Sequence, residues 1–291
     1  MVDLQKVLNA KFNKYEYHLT TKQVSLYALS IGCGRKDLKY VYEGSHDFSA
    51  LPTIGVIFPG QIIVDIISEG IPGLEFDPMM LLHGEQYLEI KNPIPTQGIF
   101  ETETKITGLY DKGKGALLLF DCLTSDKSNG KPIFLNRFSF YIRGIGGFGG
   151  PKQPVEKTEK IPQRKPDATF SQKTTEDQAA IYRLAGGDLN PLHIDPEMSK
   201  IGGFKVPILH GLCTFGIASR GVVEHFCGND PSKLKNIRVR FSNIVYPGET
   251  IESEYWKVDD KVLFQSKTSR DGSLVLTNGI ATIGSSTNSS L

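Results

Sequence analysis

The fold of this chain is constrained most strongly by an internal repeat, because two distant stretches of its 291 residues carry similar segments in the same order. Residues 20–32 (TTKQVSLYALSIG) parallel residues 174–187 (TTEDQAAIYRLAGG), and both combine leading threonines, apolar residues at helical spacing and a terminal glycine. These features predict a threonine-capped helix that ends at glycine in each half. Leu82-His83-Gly84 also recurs as Leu209-His210-Gly211. The sequence therefore predicts two copies of one structural unit.

Each predicted unit continues with strands of alternating apolar and polar residues, joined by turns such as Asp111-Lys112-Gly113 and Asp271-Gly272. The predicted strands are 98–110, 115–124 and 133–143 in the first half, and 237–245, 250–258, 262–269 and 274–283 in the second. Helices followed by an antiparallel meander predict an α+β fold. Residues 209–226 are apolar nearly all round and predict a buried central helix, whose glycines allow a curved sheet to approach closely.

A stretch rich in glycine and proline separates the two halves. Gly144, Gly146 and Gly149 match a dinucleotide-binding pattern, but that pattern requires a helix, and Pro151 and Pro154 follow instead. We therefore predict a linker at 146–168, an N-terminal repeat at 1–145 and a C-terminal repeat at 169–291. The length agrees with this division, since about 150 residues make an average domain.

Charge and hydropathy exclude several classes of partner. The chain has 33 Lys and Arg against 32 Asp and Glu, so it lacks the basic surplus that binding to nucleic acid requires. The most apolar stretch, residues 51–64, is broken by prolines and too short for a bilayer, so no membrane insertion is expected. The four cysteines are scattered without a C-x-x-C pair, which favours reduced, buried thiols in an intracellular protein.

The last three residues, Ser289-Ser290-Leu291, resemble the peroxisomal Ser-Lys-Leu address with its basic middle residue replaced. One interpretation is a peroxisomal protein that meets an import receptor through this tripeptide. The alternative is a polar tail that ends in leucine by chance. In that case the absence of a secretory signal near the N-terminus indicates a cytoplasmic protein.

One loop carries the residues best suited to chemistry. Asp188, Asn190 and His193 lie within six residues, and Pro191 and Pro196 prevent a continuous helix there. Such a loop can direct a carboxylate, an amide and an imidazole at one small volume. The alternative is that Asp188 and Asn190 cap backbone amides while His193 fills a polar niche. No metal is expected, because neither a C-x-x-C nor an H-x-x-x-H spacing supports zinc.

Residues 182–193 (YRLAGGDLNPLH), followed by 209–214 (LHGLCT), resemble the signature of the (R)-specific 2-enoyl-CoA hydratases. This hydratase 2 family includes the hydratase unit of peroxisomal multifunctional enzyme type 2. The similarity extends over essentially the whole chain, through residues 51–57, 82–86 and 239–248. It implies a double hot-dog fold, which is two helix-in-antiparallel-sheet repeats, and a homodimer. It also implies reversible syn hydration of trans-2-enoyl-CoA to (3R)-3-hydroxyacyl-CoA in fatty-acid β-oxidation.

That reaction needs a base for water, a proton source for Cα and a donor for the enolate oxygen. His193 is the natural base and Asp188 the natural partner for the Cα proton. Asn190 is expected to orient the water or the carboxylate, and the N–H of Gly211 to bind the oxyanion. No cofactor is expected beyond the coenzyme A of the substrate itself.

The resemblance also implies a set of substrate contacts. Lys112 would meet the phosphates of the coenzyme, although it could be an ordinary hairpin lysine. His83 could be a core histidine whose ring nitrogens are hydrogen-bonded within the protein, rather than a substrate contact. Phe241 could likewise be an ordinary strand residue that faces the core. The full set of expected substrate-binding residues is His83, Gly84, Lys112, Leu189, Pro191, Leu192 and Phe241.

The two halves are not expected to be equally reactive. Aligning Tyr27 with Tyr182 places Cys33 opposite Asp188 and Leu38 opposite His193, so the first half lacks both titratable groups. We expect it to bind the acyl chain and coenzyme instead. Two other functions stay open at this point. One is a hot-dog thioesterase or a dehydratase acting on a carrier protein, and the other is a non-catalytic acyl-CoA-binding protein.

Overall fold

The computed structural model describes residues 2–154 and 158–284. The α-helices are α1 (Leu4–Leu8), α2 (Thr21–Ser30), α3 (Leu38–Val41), α4 (Gly60–Glu69), α5 (Gln178–Gly186), α6 (Pro196–Ile201) and α7 (Gly211–Phe226). Short 3-10 helices lie at Pro52–Val56, Pro78–Met80, Pro191–His193 and Pro231–Lys233. The strands are β1 (Tyr15–Leu19), β2 (Leu81–Ile90), β3 (Gly98–Asp111), β4 (Gly115–Asp126), β5 (Pro132–Arg143), β6 (Ala168–Lys173), β7 (Leu234–Phe241), β8 (Thr250–Val258), β9 (Lys261–Thr268) and β10 (Leu274–Ile283).

All ten of these strands form one antiparallel sheet in the order β1-β3-β4-β5-β2-β7-β10-β9-β8-β6. The first five positions use the strands of the first half, and the last five use the matching strands of the second half in reverse order. The two halves join where β2 pairs with β7, with Leu88 opposite Ile237. The internal repeat predicted from the sequence is therefore confirmed, although β1, β2 and β6 were not predicted as strands.

One of the sequence parallels that suggested the repeat is wrong. Leu82-His83-Gly84 lies inside strand β2, whereas Leu209-His210-Gly211 leads into helix α7. In the order of elements, β2 corresponds to β7, and the segment before β2 corresponds to α7. That segment is divided into a 3-10 helix, Pro52–Val56, and α4, with Pro59 just before α4. A match of three residues was too short to distinguish a strand from a helix start.

The predicted helix starts are correct in one half and wrong in the other. Thr20 caps α2 in a full capping box, since its hydroxyl accepts from the Gln23 N–H and the Gln23 side chain accepts from the Thr20 N–H. In the second half α5 begins at Gln178, after the N-cap residue Asp177. Neither threonine caps it: the Thr174 hydroxyl donates to the Glu249 carbonyl at 2.7 Å and accepts from the Gly248 N–H, and Thr175, which aligns with Thr20, is followed by a turn at 176–177 before the helix begins.

Helix α7 lies at the centre of the main hydrophobic core, as predicted. Ten of its sixteen residues are buried, and Phe215, Ile217 and Val222 are completely inaccessible to solvent. A Cβ at Gly216 would lie 2.6 Å from the Cγ2 of Ile31, and one at Gly221 would lie 2.2 Å from the hydroxyl of Tyr255. These glycines therefore let the helix pack closely against the first half on one side and the sheet on the other.

The glycine-rich start of the linker folds around a side chain of the protein itself. The Asp111 carboxylate, in the β3–β4 hairpin, accepts backbone N–H groups of Gly113, Gly147 and Gly149 at 2.8–2.9 Å. These hydrogen bonds lower the pKa of the Asp111 carboxyl. No helix or strand occurs in the described parts of 144–167. The glycines thus attach the linker to the first half.

Residues Pro52–Glu69 have the length and mean hydropathy, 1.2, of a membrane-spanning helix, and 56% of this stretch is buried inside the fold. The stretch is not one continuous helix, because it divides into the 3-10 helix and α4. Ile54, Ile62 and Ile66 contribute to the core. Its apolar composition is therefore used in packing within the protein.

The four cysteines are buried and free of disulfide bonds, as the sequence predicted. Burial raises the pKa of the Cys33 and Cys122 thiols to about 12 and that of Cys227 to about 11. A thiol with such a pKa is protonated near neutral pH and is a poor nucleophile. These side chains therefore act as small apolar core residues.

Candidate active site

The loop that follows α5 holds the candidate catalytic residues. Gly187 ends the helix in the left-handed conformation, with φ of 70°. The Asp188 Oδ1 then accepts the Asn190 N–H at 3.1 Å, and the Asn190 Oδ1 accepts the Leu192 N–H at 3.1 Å. Both side chains therefore cap backbone amides, as the alternative interpretation of the sequence proposed. These bonds fix the loop and leave the second carboxylate oxygen of Asp188 for other contacts.

His193 is held in one tautomer. Its Nδ1 lies 2.8 Å from the carbonyl oxygen of Ile208, which can only accept, so Nδ1 carries the proton of the neutral ring. The Nε2 lone pair is then available as a base. Burial lowers the pKa of His193, against the opposing effects of Asp188 and the Ile208 carbonyl. The imidazole is consequently neutral near pH 7, which is the form a general base needs.

His210 is a site residue that the sequence analysis did not assign. Its ring stacks on that of His193, with centroids 3.8 Å apart, and contacts the ring of Tyr182 at 5.0 Å. Potential donor atoms of Asp188, His193 and His210 all lie within 4.8 Å of one another. The only sequence evidence for a role of His210 was its position next to Gly211. Its contact with His193 could not be predicted, because the two histidines are 17 residues apart in the chain.

These three side chains could in principle hold a metal ion, since each offers one donor atom. The planes of the two imidazoles differ by only 27°. Because the rings are stacked 3.8 Å apart, their in-plane lone pairs cannot converge on one ion, as a tetrahedral zinc site requires. The cluster is better suited to proton transfer than to metal binding.

Gly211 is the first residue of α7 and is exposed at the protein surface. The first N–H groups of a helix have no partner within the helix, and they lie at the positive end of its dipole. A Cβ at this position would lie 3.1 Å from the ring of Phe241. The peptide next to His210 thus presents a donor to incoming groups, and its role towards an oxyanion stays a prediction.

His83 connects this site to the first half of the chain. Its ring lies 4.8 Å from that of Phe241 and 5.1 Å from that of Phe140. Its Nε2 lies 3.1 Å from the Glu85 carbonyl, and burial lowers its pKa to about 4. Gly84 lies beside it, where the β2–β5 register shifts. The structure therefore brings His83 and Phe241 together near Gly211, and their contact with a substrate stays a prediction.

Lys112 lies elsewhere. Its ammonium donates to the Gln153 side chain at 3.3 Å, and it lines a cleft of about 780 Å³ together with Arg137, Arg240 and the linker residue Pro154. None of its described contacts joins it to the loop at 188–193 or to Gly211. The structure therefore does not bring this predicted phosphate ligand together with the other site residues.

The remaining loop residues differ in exposure. Leu189 is 55% exposed and Pro191 is exposed, whereas Leu192 is half-buried beside Gly202. In the first half, the aligned Cys33 is buried and Leu38 is 53% exposed. The first half therefore offers no carboxylate and imidazole at the positions that correspond to the loop.

Two family profiles match the chain: the MFE-2 hydratase 2 N-terminal domain over residues 17–144, and the MaoC like domain over residues 157–278. A probable enoyl-CoA hydratase 2 of Dictyostelium discoideum is 71% identical over 284 residues, which is 97% of either chain. The peroxisomal multifunctional enzyme type 2 of Mus musculus is 42% identical over 92% of this chain, which spans 37% of that enzyme.

Solved structures agree with these matches. A MaoC-like dehydratase from Phytophthora capsici superposes with a TM-score of 0.88 at 37% identity, covering 97% of this chain and 99% of that one. A Mycobacterium tuberculosis protein described as a double hotdog fold superposes with a TM-score of 0.57 at 12% identity, covering 97% of this chain and 98% of that one. The predicted double hot-dog fold is confirmed.

Three histidines of the site, His83, His193 and His210, predict how the free energy of unfolding depends on pH. Burial lowers the pKa of His83, His193 and His210, so at mildly acidic pH the unfolded chain binds protons that the native chain does not. Their stabilisation is fully present above about pH 6.5, the ordinary histidine pKa, and is lost as the pH falls towards each native pKa. We expect each histidine to contribute a slope of up to about 1.4 kcal/mol per pH unit.

Urea denaturation at pH 7.5, 6.5 and 5.5 measures this slope. His83→Phe keeps an aromatic ring and is expected to reduce it, whereas His46→Gln, at a side chain that is 96% exposed, should leave it unchanged. Equal slopes for the wild type and His83→Phe would contradict the lowered pKa assigned to His83.

Proposed function

The chain belongs to the enoyl-CoA hydratase 2 family, and from this premise we propose that it is a hydro-lyase acting on acyl-CoA. It adds water reversibly to trans-2-enoyl-CoA and forms (3R)-3-hydroxyacyl-CoA in fatty-acid β-oxidation. The observation that carries this proposal is the pairing of His193 with Asp188 on one hydrogen-bonded loop, where the Nδ1 contact leaves the Nε2 lone pair of His193 without a hydrogen bond to the described residues. The donor at Gly211 is linked to the same cluster through His210.

The proposed reaction divides between these two side chains. Nε2 of His193 takes a proton from water as the water oxygen bonds to Cβ. The Asp188 carboxylate, whose oxygen lies within 4.8 Å of the imidazole, then takes this proton from His193 and passes it to Cα, which restores the neutral imidazole and the carboxylate. Since both groups lie on one loop, hydrogen and hydroxyl add to the same face, and Asn190 orients the water or the carboxyl.

The thioester oxygen becomes negative when the enolate forms. The N–H of Gly211 and the positive end of α7 are suited to stabilise it, and the absence of a side chain on Gly211 lets the thioester approach. All proton transfers are between water, His193 and Asp188, so the proposed mechanism uses no cofactor and no metal.

The acyl-CoA is proposed to lie across the boundary between the two halves. His83, Gly84 and Phe241 support this placement, because His83 and Phe241 pack together beside Gly211. Leu189, Pro191 and Leu192 complete the loop side of the pocket, and the first half provides the acyl and coenzyme surface. A role for Lys112 at the phosphates stays a prediction, as does the homodimer.

We expect Asp188→Asn and His193→Gln each to lower kcat by about 10²–10⁴-fold, because each removes a group that moves a proton. The amide oxygen introduced by Asp188→Asn can still accept the Asn190 N–H, so the loop is expected to stay folded. The measurement is hydration of crotonyl- and decenoyl-CoA with chiral analysis of the product.

Matched controls are Asp177→Asn and His225→Gln, which make the same replacements outside the site and should keep full activity. An (S) product from the wild type, or full activity in the loop variants, would refute the proposed mechanism. Release of free coenzyme A thiol would point to a thioesterase instead.

The donor at Gly211 can be tested with a pair of variants. Proline is tolerated at the first helical position and lacks the N–H, and the preceding His210 has a ψ of 131°, which suits a residue before proline. Gly211→Ala keeps the N–H and adds the Cβ that meets Phe241. We expect kcat of Gly211→Pro to be about 10²–10³-fold below that of Gly211→Ala. Equal rates would exclude this N–H as the oxyanion donor.

We also propose a peroxisomal location, supported by the peroxisomal name of the mouse relative. The tripeptide Ser289-Ser290-Leu291 lies outside the described residues. A chain with a fluorescent protein at its N-terminus should colocalise with a peroxisomal marker and become diffuse when residues 289–291 are deleted, while Ser290→Lys should stay peroxisomal. An unchanged distribution after the deletion would exclude the tripeptide as the address.

A further inference from the structure

His210 is a buried histidine that the proposed proton transfers do not use. It is 1% exposed, and neither ring nitrogen has a hydrogen-bond partner among the described residues. Its contacts are made by the ring itself, with His193 at 3.8 Å and Tyr182 at 5.0 Å between centroids. The backbone carbonyl of Asp188 lies near the edge of the ring, and the closest approach to the base is the stacking contact with His193.

The same short backbone segment holds His193 in two ways. The carbonyl of Ile208 accepts the Nδ1–H of His193 at 2.8 Å, and two residues later the ring of His210 stacks on the imidazole. His210 itself is fixed because it immediately precedes α7, which is buried in the core from Cys213 to Ser219. The hydrogen bond fixes one edge of His193, and the stacking contact fixes its plane.

We propose that His210 is a positioning residue, whose ring face holds the plane of His193 so that its Nε2 and the Asp188 carboxyl lie on the same face of the substrate. This inference rests on the proposed function, but its main observable, the protonation of His193, can be measured without substrate.

The surrounding charges support this role. Burial lowers the pKa of both histidines, and a proton on either ring would repel a proton on the other. The Asp188 carboxylate favours protonation of His193. The Asp188 backbone carbonyl favours protonation of His210, whereas Arg183 on α5 disfavours it. The other titratable side chains packed nearby, Tyr182 and Cys213, are kept neutral by burial, which raises the pKa of each. Without a flat ring to stack against, the imidazole of His193 can tilt towards solvent, so its pKa is expected to rise.

The test compares two variants of the full-length chain. His210→Leu removes the ring and roughly keeps its volume, while His210→Phe keeps a ring face and removes both nitrogens. His225→Phe, near the far end of α7, is the matched control. The readouts are kcat, KM, the pH at which the acid limb of kcat/KM falls, and an NMR titration of the His193 ring without substrate.

We expect His210→Leu to lower kcat at least tenfold with KM changed less than threefold. The acid limb of the kcat/KM profile of this variant and the midpoint of its His193 titration should both move to higher pH. His210→Phe should return both pH values to those of the wild type and restore at least a third of kcat, and His225→Phe should match the wild type throughout. A folded His210→Leu with the wild-type titration overturns the proposal.

A folded His210→Phe that fails to restore the titration also overturns it, because His193 would then depend on the nitrogens. If thermal melting shows that His210→Leu does not fold, His210→Phe decides the question alone. A wild type that does not hydrate enoyl-CoA refutes the proposed function, but the NMR titrations still test the positioning of His193.

Discussion

The antiparallel pairing of β2 with β7 is the interaction on which the rest of the molecule depends. It joins two five-stranded halves into one sheet and sets Glu85 opposite Arg240. This register brings Phe241, the last residue of β7, against His83 of β2 and over the start of α7. A shift of one residue would turn every side chain of the strand to the opposite face. The site at the boundary thus exists because the two repeats share a sheet.

The repeats share a topology but differ at the position where a helix enters the core. In the second half α7 runs unbroken for sixteen residues from an exposed glycine. In the first half the corresponding segment is divided, and a Cβ at Gly60, where α4 begins, would lie 3.8 Å from the carbonyl of Gly186. The start of α4 therefore packs on the end of α5. The two halves therefore differ in backbone as well as in chemistry: the half that carries Asp188 and His193 has an unbroken helix in the core, and the other half has a divided one.

The sequence predicted those elements whose signal is local. Strands β3 and β10, helix α7 and the loop at 188–193 were all found at or near their observed bounds, because periodicity and turn residues define them. Strand β2 was missed because its alternation is interrupted where the register shifts after His83. The start of α5 was misplaced because Thr174 is bonded to the turn at 248–249. The distance of Lys112 from the other site residues and the contact of His193 with His210 depend on the complete fold, so no local pattern predicts them.

The start of α7 connects the base to the oxyanion donor through one electrostatic effect. The unpaired N–H groups at a helix start carry partial positive charge, which stabilises an anion placed at Gly211 and disfavours a proton on His210. A neutral His210 adds no charge to repel the proton that His193 takes up during the reaction, while burial lowers the pKa of His193 and keeps it unprotonated beforehand. The N-terminus of α7 can therefore favour negative charge on the substrate and also keep the stacked rings of His193 and His210 neutral. Catalysis by the loop at 188–193 thus depends on the helix at the centre of the core.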